Sequence, residues 1–155
     1  MPAVGVFHVD IDVVASGGGD AERHPVLVDT GASYLSLPGS VLRRLGYRPL
    51  DSQRVIFATG QAAVWPVTEV KVRLAGRERT VIAFFPDETA PKVVGAQTLE
   101  SFGLGVDPLG RRLVPVDAYL AAGAKNGDRS GTSASGSVAA SSGFSSPPLT
   151  ICVEV

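Results

Sequence analysis

A short apolar run that ends in an acidic turn is the feature that most constrains this chain. Residues 26–28 are Val, Leu and Val, and Asp29, Thr30 and Gly31 follow them directly. Because such a run is typical of a buried strand, we expect the Asp29 carboxylate at a strand end, shielded from water as many reactive acids are. Asp and Gly are also ordinary turn residues, so these three residues alone favour a plain turn. A catalytic interpretation therefore needs support from elsewhere in the chain.

Alternation of apolar and polar residues predicts strands over much of the first 117 residues. These patterns lie at residues 4–14, 25–28, 54–57, 62–65, 67–74, 80–85, 104–106 and 112–116. The segments 54–57 and 62–65 flank a tip of small residues that begins Ala58, Thr59, Gly60, which predicts a hairpin. The sequence therefore indicates a mainly β domain.

Two short helices are also predicted. Ser40 can cap the first helix, over residues 41–45, and Gly46 can end it in the left-handed conformation. Apolar residues at helical spacing predict the second helix over residues 96–102, with Gly103 as its stop.

Composition favours one cytoplasmic domain. The chain has 155 residues, 45% of them hydrophobic, and a formal net charge of -1, so nothing suggests binding to nucleic acid or to anionic lipid. No apolar run approaches the roughly 20 residues that span a bilayer, so we expect no membrane contact. Cys152 has no partner for an internal disulfide. His8 and His24 lack the spacing of a metal site and are expected to be exposed, so we expect no metal and no cofactor.

The composition changes near residue 117. Residues 118–155 are rich in Ser, Gly and Ala, and residues 124–148 contain almost no large apolar side chain. Such a segment buries too little surface to offset the entropy of ordering, so we predict a folded domain at 1–117 and a disordered C-terminal tail at 118–155. Residues 149–155 are apolar enough to add a strand or dock in a groove, although an unstructured end fits equally well.

A second motif supports the catalytic interpretation. Val93, Val94 and Gly95 lie far downstream of the motif at residues 29–32, and the two motifs in this order resemble the signature elements of retroviral-type, or retropepsin-like, aspartic proteases. Residues 95–115 resemble the prokaryotic subgroup in particular. The resemblance covers residues 4–117. It implies an all-β retropepsin-like acid protease fold, a small closed β-barrel with one or two short helices and one lobe per chain.

The resemblance implies an aspartic endopeptidase that acts on polypeptides as a homodimer. Hydrolysis by this route needs two carboxylates that share one proton, one acting as a base toward water and the other as an acid toward the scissile carbonyl. The sequence contains one Asp-Thr-Gly motif and no second Asp-Thr-Gly or Asp-Ser-Gly. Catalytic Asp29 is therefore expected to face the Asp29 of a second copy across a twofold axis.

Further roles follow from the same resemblance. Thr30 would hydrogen-bond across the twofold axis, Gly31 would let the backbone approach substrate, and residues 93–95 would brace the turn. The tip at residues 58–60 would be the flap, which closes over substrate. A plain strand end and an ordinary β-turn are the alternatives for these last two segments. The expected supporting residues are Thr30, Gly31, Ala32, Val93, Val94 and Gly95, and the expected substrate or flap residues are Ser33, Ala58, Thr59 and Gly60.

Two positions depart from the retroviral pattern. Many retroviral members carry Asp where Ser33 stands and Arg where Ala96 stands, and the two form an ion pair. Losing one partner would leave a partly buried charge unpaired and lower the stability by about 3–5 kcal/mol. Replacing both partners by small residues can leave the stability almost unchanged. The departure does not argue for a broken enzyme, but Ser33 offers substrate a weaker, uncharged contact.

Two other functions also fit the sequence. One is a non-catalytic dimeric module that keeps the fold and Asp29 and captures extended peptides by β-strand addition. The other is a folded part that only tethers the flexible tail. Replacing Asp29 by Asn separates an enzyme from a peptide-binding module.

Overall fold

Nine β-strands and two short helices make up residues 6–120, the part of the chain that the computed structural model describes. The strands are β1 (His8–Val14), β2 (Ala21–Val28), β3 (Leu35–Ser36), β4 (Asp51–Ile56), β5 (Ala62–Leu74), β6 (Arg77–Phe84), β7 (Val93–Val94), β8 (Leu104–Asp107) and β9 (Arg112–Pro115). The helices are α1 (Gly39–Arg44) and α2 (Ala96–Ser101). Cys152, residues 4–5 of the first predicted strand and most of the predicted tail lie outside the described residues. The domain boundary at residue 117 stays a prediction.

Alternating burial along the strands creates the core. In β1, Val9, Ile11 and Val13 are buried while His8 and Asp10 are exposed. Successive side chains of a strand point to opposite faces, so such a strand has one apolar face. The largest fully buried side chains on these faces and on the helices are those of Ile11, Leu35, Leu37, Leu42, Leu99 and Phe102. They belong to one hydrophobic cluster that fills the interior.

Seven strands form a sheet that closes on itself. The strand order is β1-β2-β7-β3-β6-β5-β4, and β1 also pairs with β5 through Asp12 with Arg73 and Val13 with Val72. Six strands therefore form a closed barrel, and β4 lies outside it, on the edge of β5. Strands β8 and β9 form a separate hairpin. The predicted all-β, closed-barrel fold with short helices is confirmed.

Strand β5 runs without a break through Pro66, where we predicted two separate strands. Pro66 lacks an N–H group, but it pairs with Ser52 of the edge strand β4, and its carbonyl oxygen accepts a hydrogen bond from the Phe85 N–H at 2.8 Å. Proline is tolerated here because the position belongs to a two-stranded ribbon.

Helix α1 begins differently from the prediction. The residue that precedes it is Pro38, whose side chain makes no capping hydrogen bond. Ser40 lies inside the helix, where its N–H and its hydroxyl donate to the carboxylate of Glu88. Gly46 does end the helix with φ of 85°. Neither helix within residues 6–120 is long and apolar enough to cross a membrane.

Candidate active site

The pairing of β2 with β7 brings the two sequence motifs together. These strands are parallel, with Leu27 opposite Val93 and Val28 opposite Val94. Asp29 follows β2 directly, and its N–H donates to the carbonyl oxygen of Val94 at 3.1 Å. Val93 and Val94 are both buried. The acidic turn is therefore fixed to the core at its first residue.

Two local hydrogen bonds shape the turn itself. The Gly31 N–H donates to Oδ1 of Asp29 at 2.9 Å, and the Ala32 N–H donates to the Asp29 carbonyl oxygen at 3.1 Å. A Cβ atom added to Gly31 would lie 3.1 Å from Oδ1, so a side chain there would push against the carboxylate. The backbone thus orients the Asp29 side chain.

Gly95 clamps the other side of the turn. The Ala96 N–H donates to the Ala32 carbonyl oxygen at 2.9 Å, and the Gln97 N–H donates to the Ser33 carbonyl oxygen at 3.0 Å. A Cβ atom on Gly95 would lie 2.6 Å from the Ser33 carbonyl carbon and 2.7 Å from the Ala32 oxygen. Only glycine allows the two backbone segments to come this close. Their close approach packs the start of α2 against the turn.

The turn faces outward in the single chain. Asp29, Thr30, Gly31 and Ser33 are exposed, and Ala32 is half-buried. Our expectation that the chain shields this carboxylate is therefore wrong for one copy. The reason is that the turn projects past the ends of β2 and β7. Within residues 6–120, Gly31 is the one hydrogen-bond donor to the carboxylate.

The hairpin predicted around residues 58–60 is present. Strands β4 and β5 pair from Asp51 with Val67 to Ile56 with Ala62. The tip closes through hydrogen bonds from the Phe57 N–H to the Gln61 carbonyl oxygen and from the Gly60 N–H to the Phe57 carbonyl oxygen, each 2.8 Å long. Ala58, Thr59 and Gly60 are exposed, and Gly60 has φ of 85°.

The sequence analysis missed Tyr34, which connects this hairpin to the acidic turn at residues 29–33. Tyr34 follows Ser33 directly, and its hydroxyl accepts a hydrogen bond from the Gln53 side chain on β4 at 3.4 Å. Its ring lies 5.2 Å from that of Phe84. An aromatic residue directly after an acidic turn was the available signal.

A cluster of charged groups lies beside β2, behind the turn. His24 is 7% exposed, so the prediction that it is exposed was wrong. Its Nδ1 lies 3.2 Å from Nζ of Lys92, and its Nε2 lies 3.2 Å from Oε2 of Glu22. Burial lowers the pKa of His24, and the Lys92 ammonium lowers that pKa further. Neutral His24 can therefore accept a hydrogen bond from Lys92 and donate one to Glu22.

Arg44 completes this cluster from helix α1. Its guanidinium donates two hydrogen bonds to the Glu22 carboxylate, at 2.8 and 2.7 Å, and holds the pKa of Glu22 at about 2. The Lys92 carbonyl oxygen accepts the Leu27 N–H at 2.9 Å, two residues before Asp29. Within residues 6–120, no three His, Cys, Asp or Glu side chains are grouped so that they could hold a metal ion.

Comparisons with known proteins identify the family and the fold. A sequence model of the family described as Aspartyl protease matches residues 13–109. The structure of the EIAV protease complexed with the inhibitor HBY-793 is similar, with a TM-score of 0.50 at 18% identity over 66% of this chain and 93% of that one. The solution structure of the simian foamy virus (mac) protease matches with a TM-score of 0.44 at 13% identity over 61% of this chain and 92% of that one. No curated protein sequence gives a significant match.

Proposed function

The chain belongs to the aspartyl protease family, and from this membership we propose that it is an aspartic endopeptidase that cleaves polypeptides as a homodimer. Each copy supplies one Asp29, and the two carboxylates form the catalytic pair. The proposal extends to the supporting residues named from the sequence.

One observation carries this proposal: the Asp29 carboxylate is fixed by the backbone yet faces outward. The bonds from Gly31 to Oδ1 and from Asp29 to Val94 hold it in one orientation. The bond from the Asp29 N–H to buried Val94 and the close approach of Gly95 to residues 32–34 fix the turn that carries this outward-facing carboxylate, which supports a functional role for it. A second copy facing this turn would supply the missing acid and exclude water, which supports a twofold site.

The chemistry follows from the shared proton. Two carboxylates in contact cannot both ionise freely, so the pair holds one proton between them. The ionised carboxylate removes a proton from a water molecule, whose oxygen attacks the carbonyl carbon, while the protonated one donates to the carbonyl oxygen. The tetrahedral intermediate then breaks its C–N bond as the nitrogen gains the proton that was taken from water, while a hydroxyl of the intermediate returns its proton to the other carboxylate and becomes the new carbonyl. No covalent enzyme intermediate and no cofactor is required.

Supporting roles are proposed for the neighbouring residues. Thr30 is exposed beside Asp29, so its hydroxyl is free to bond across a twofold axis. Ser33 is exposed on the same turn and offers substrate an uncharged contact. The exposed tip at residues 58–60 is proposed as the lid that closes over substrate, which suits its small residues.

Replacing Asp29 by Asn tests the proposal. We expect cleavage of a denatured protein to fall on the order of 10²–10⁴-fold, since the substitution removes the acid–base group and preserves the shape. Asp20→Asn is the matched control, because Asp20 is equally exposed but lies in the loop between β1 and β2. Sedimentation of the same samples reports whether both variants still dimerise.

Cleavage that appears only at concentrations where the dimer forms, and that disappears in D29N alone, supports the enzyme. A wild-type chain that dimerises and binds extended peptides but never cleaves them would instead be a peptide-binding module. Cleavage by a strict monomer would contradict the paired site.

A further inference from the structure

A row of aromatic rings runs from the catalytic segment to the hairpin tip. The ring of Tyr34 lies 5.2 Å from that of Phe84, Phe84 lies 5.8 Å from Trp65, and Trp65 lies 5.3 Å from Phe57. The last two contacts are edge-to-face, a favourable geometry for aromatic pairs. We call these four residues the aromatic row.

Over most of its length, the hairpin that carries half of this row is a two-stranded ribbon within residues 6–120. The register of β5 with β6 begins at Val67 with Phe84, and Pro66 adds one bond from the Phe85 N–H, so residues 62–65 of β5 pair with β4 alone within residues 6–120. A two-stranded ribbon is marginally stable by itself and needs side-chain packing to keep its orientation. Contacts of one face of the ribbon with the barrel must supply that packing.

Burial identifies this face. Val55, Phe57, Ala63 and Trp65 are half-buried, whereas their neighbours on the opposite face are exposed. Those exposed neighbours are Arg54, Ile56, Ala62 and Val64. Gln53 stands directly opposite Trp65 in the β4–β5 register and donates to the Tyr34 hydroxyl. The ribbon therefore rests on the barrel through its aromatic face.

The far end of the row is rigid. Tyr34 stands between the acidic turn and β3, and its backbone nitrogen would lie 2.7 Å from a Cβ on Gly95. Phe84 is the last residue of β6 and is 9% exposed. One end of the row is thus fixed to the catalytic segment, and the other end, Phe57, closes the hairpin tip through its hydrogen bonds to Gln61 and Gly60.

We propose that the aromatic row is the anchor that sets the position of the hairpin relative to the acidic turn, with Trp65 as its central positioning residue. The expected effect on catalysis rests on the proposed function, in which the hairpin is the lid. The anchoring of the hairpin by the aromatic row does not depend on that function. Trp65 contacts a ring on each side, so removing its ring interrupts the row at its centre and leaves Asp29 unchanged.

Hydrogen exchange of the full-length protein tests the anchor. Trp65→Leu keeps an apolar side chain but breaks both ring contacts, and we expect amides of β4 and of residues 57–66 to exchange on the order of tenfold faster. Amides of β2 and β7 should be unaffected. Val64→Ala is the matched control, because Val64 is the adjacent β5 residue on the exposed face. If the amides of β4 and of residues 57–66 exchange at the same rate in W65L as in V64A, the proposal is overturned.

If W65L folds poorly, the variant Phe57→Ala tests the same row of contacts from its other end. Phe57 lies at the tip, outside the barrel core, and Trp65 is the single tryptophan of the chain. Phe57→Ala should therefore shift the tryptophan emission to the red and increase its quenching by acrylamide. Unchanged emission and quenching would show that Phe57 does not cover Trp65, and the row would then not reach the tip.

Kinetics separate this proposal from the proposed function. In an active enzyme, W65L should raise the KM for a peptide on the order of tenfold with a smaller change in kcat, since the lid binds substrate but performs no chemistry. If wild type does not cleave, the exchange and fluorescence results still decide whether the anchor exists. Faster ribbon exchange with unchanged KM would confirm the anchor and contradict its role in substrate binding.

Discussion

Gly95 shows how one residue without a side chain can control the acidic turn at residues 29–33. We expect Gly95→Ala to destabilise the fold by about 1–3 kcal/mol, because the new methyl group would overlap the backbone of residues 32–34 and nothing there can move aside cheaply. Cleavage should fall as well, since relief of the overlap displaces the turn that carries Asp29. Urea unfolding and the peptide assay on one sample measure both effects.

The control for this substitution is Gly17→Ala in the loop between β1 and β2. A Cβ atom there meets nothing within 4 Å. We expect its free energy of unfolding to stay within about 1 kcal/mol of wild type, with unchanged cleavage. A G95A variant as stable and active as G17A would mean that the turn is not clamped from this side.

At the residue scale, sequence analysis located the motifs but did not predict which distant residues contact the side chains around them. Asp29 and Gly95 are recognisable because each motif is local. The burial of His24 was missed because Lys92 approaches it from a distant part of the chain. The same holds for Ser40, whose partner Glu88 lies 48 positions away. Contacts between residues so far apart leave no periodic signal in the sequence.

At the scale of elements, β2 connects an acid-sensitive cluster to the catalytic turn. The pKa of His24 lies below its ordinary value of 6.5, so the unfolded chain binds this proton more readily than the folded chain. This contribution to stability is complete above about pH 6.5 and is lost as the pH falls through the lowered pKa of the folded state. We expect His24 to steepen the loss of stability in this range by at most about 1.4 kcal/mol per pH unit.

Urea unfolding at about pH 7.5 and about pH 5 tests this prediction. His24→Gln should make the difference in unfolding free energy between the two conditions smaller, because glutamine cannot gain the proton that repels Lys92. The ion pair of Glu22 with Arg44 remains in both proteins, since Glu22 has a pKa of about 2. His8→Gln, at an exposed position of β1, is the control. An H24Q protein with the same pH dependence as wild type would contradict the assignment.

Elements with local signals were predictable from the sequence, and elements made by distant pairing were not. The β4–β5 hairpin, α2 and the β8–β9 hairpin each have turn or helix signals within a few residues. Strands β3 and β7 have two residues each and exist only because they pair with distant strands. The family resemblance implied only that residues 93–95 brace the turn, and the parallel pairing of β2 with β7, which assembles the candidate site, was not predicted.

At the scale of the whole molecule, the proposed site is completed only where a second copy meets the exposed turn of Asp29. The barrel joins β1 to β5 and so has no free edge among its six strands. The catalytic turn projects from it with an exposed carboxylate. If each copy supplies one acid, activity belongs to the pair and must depend on what both members carry.

Mixing wild type with D29N tests this dependence directly. Subunits that pair at random put wild-type chains into inactive mixed dimers, so equal amounts should leave about half of the activity per wild-type chain, and a ninefold excess of D29N about one tenth. The peptide assay is read after the mixture has exchanged subunits, which sedimentation of a size-tagged variant can follow. An excess of D20N should add activity in proportion to its amount. Activity per wild-type chain that is unaffected by D29N would mean that one chain carries a complete site.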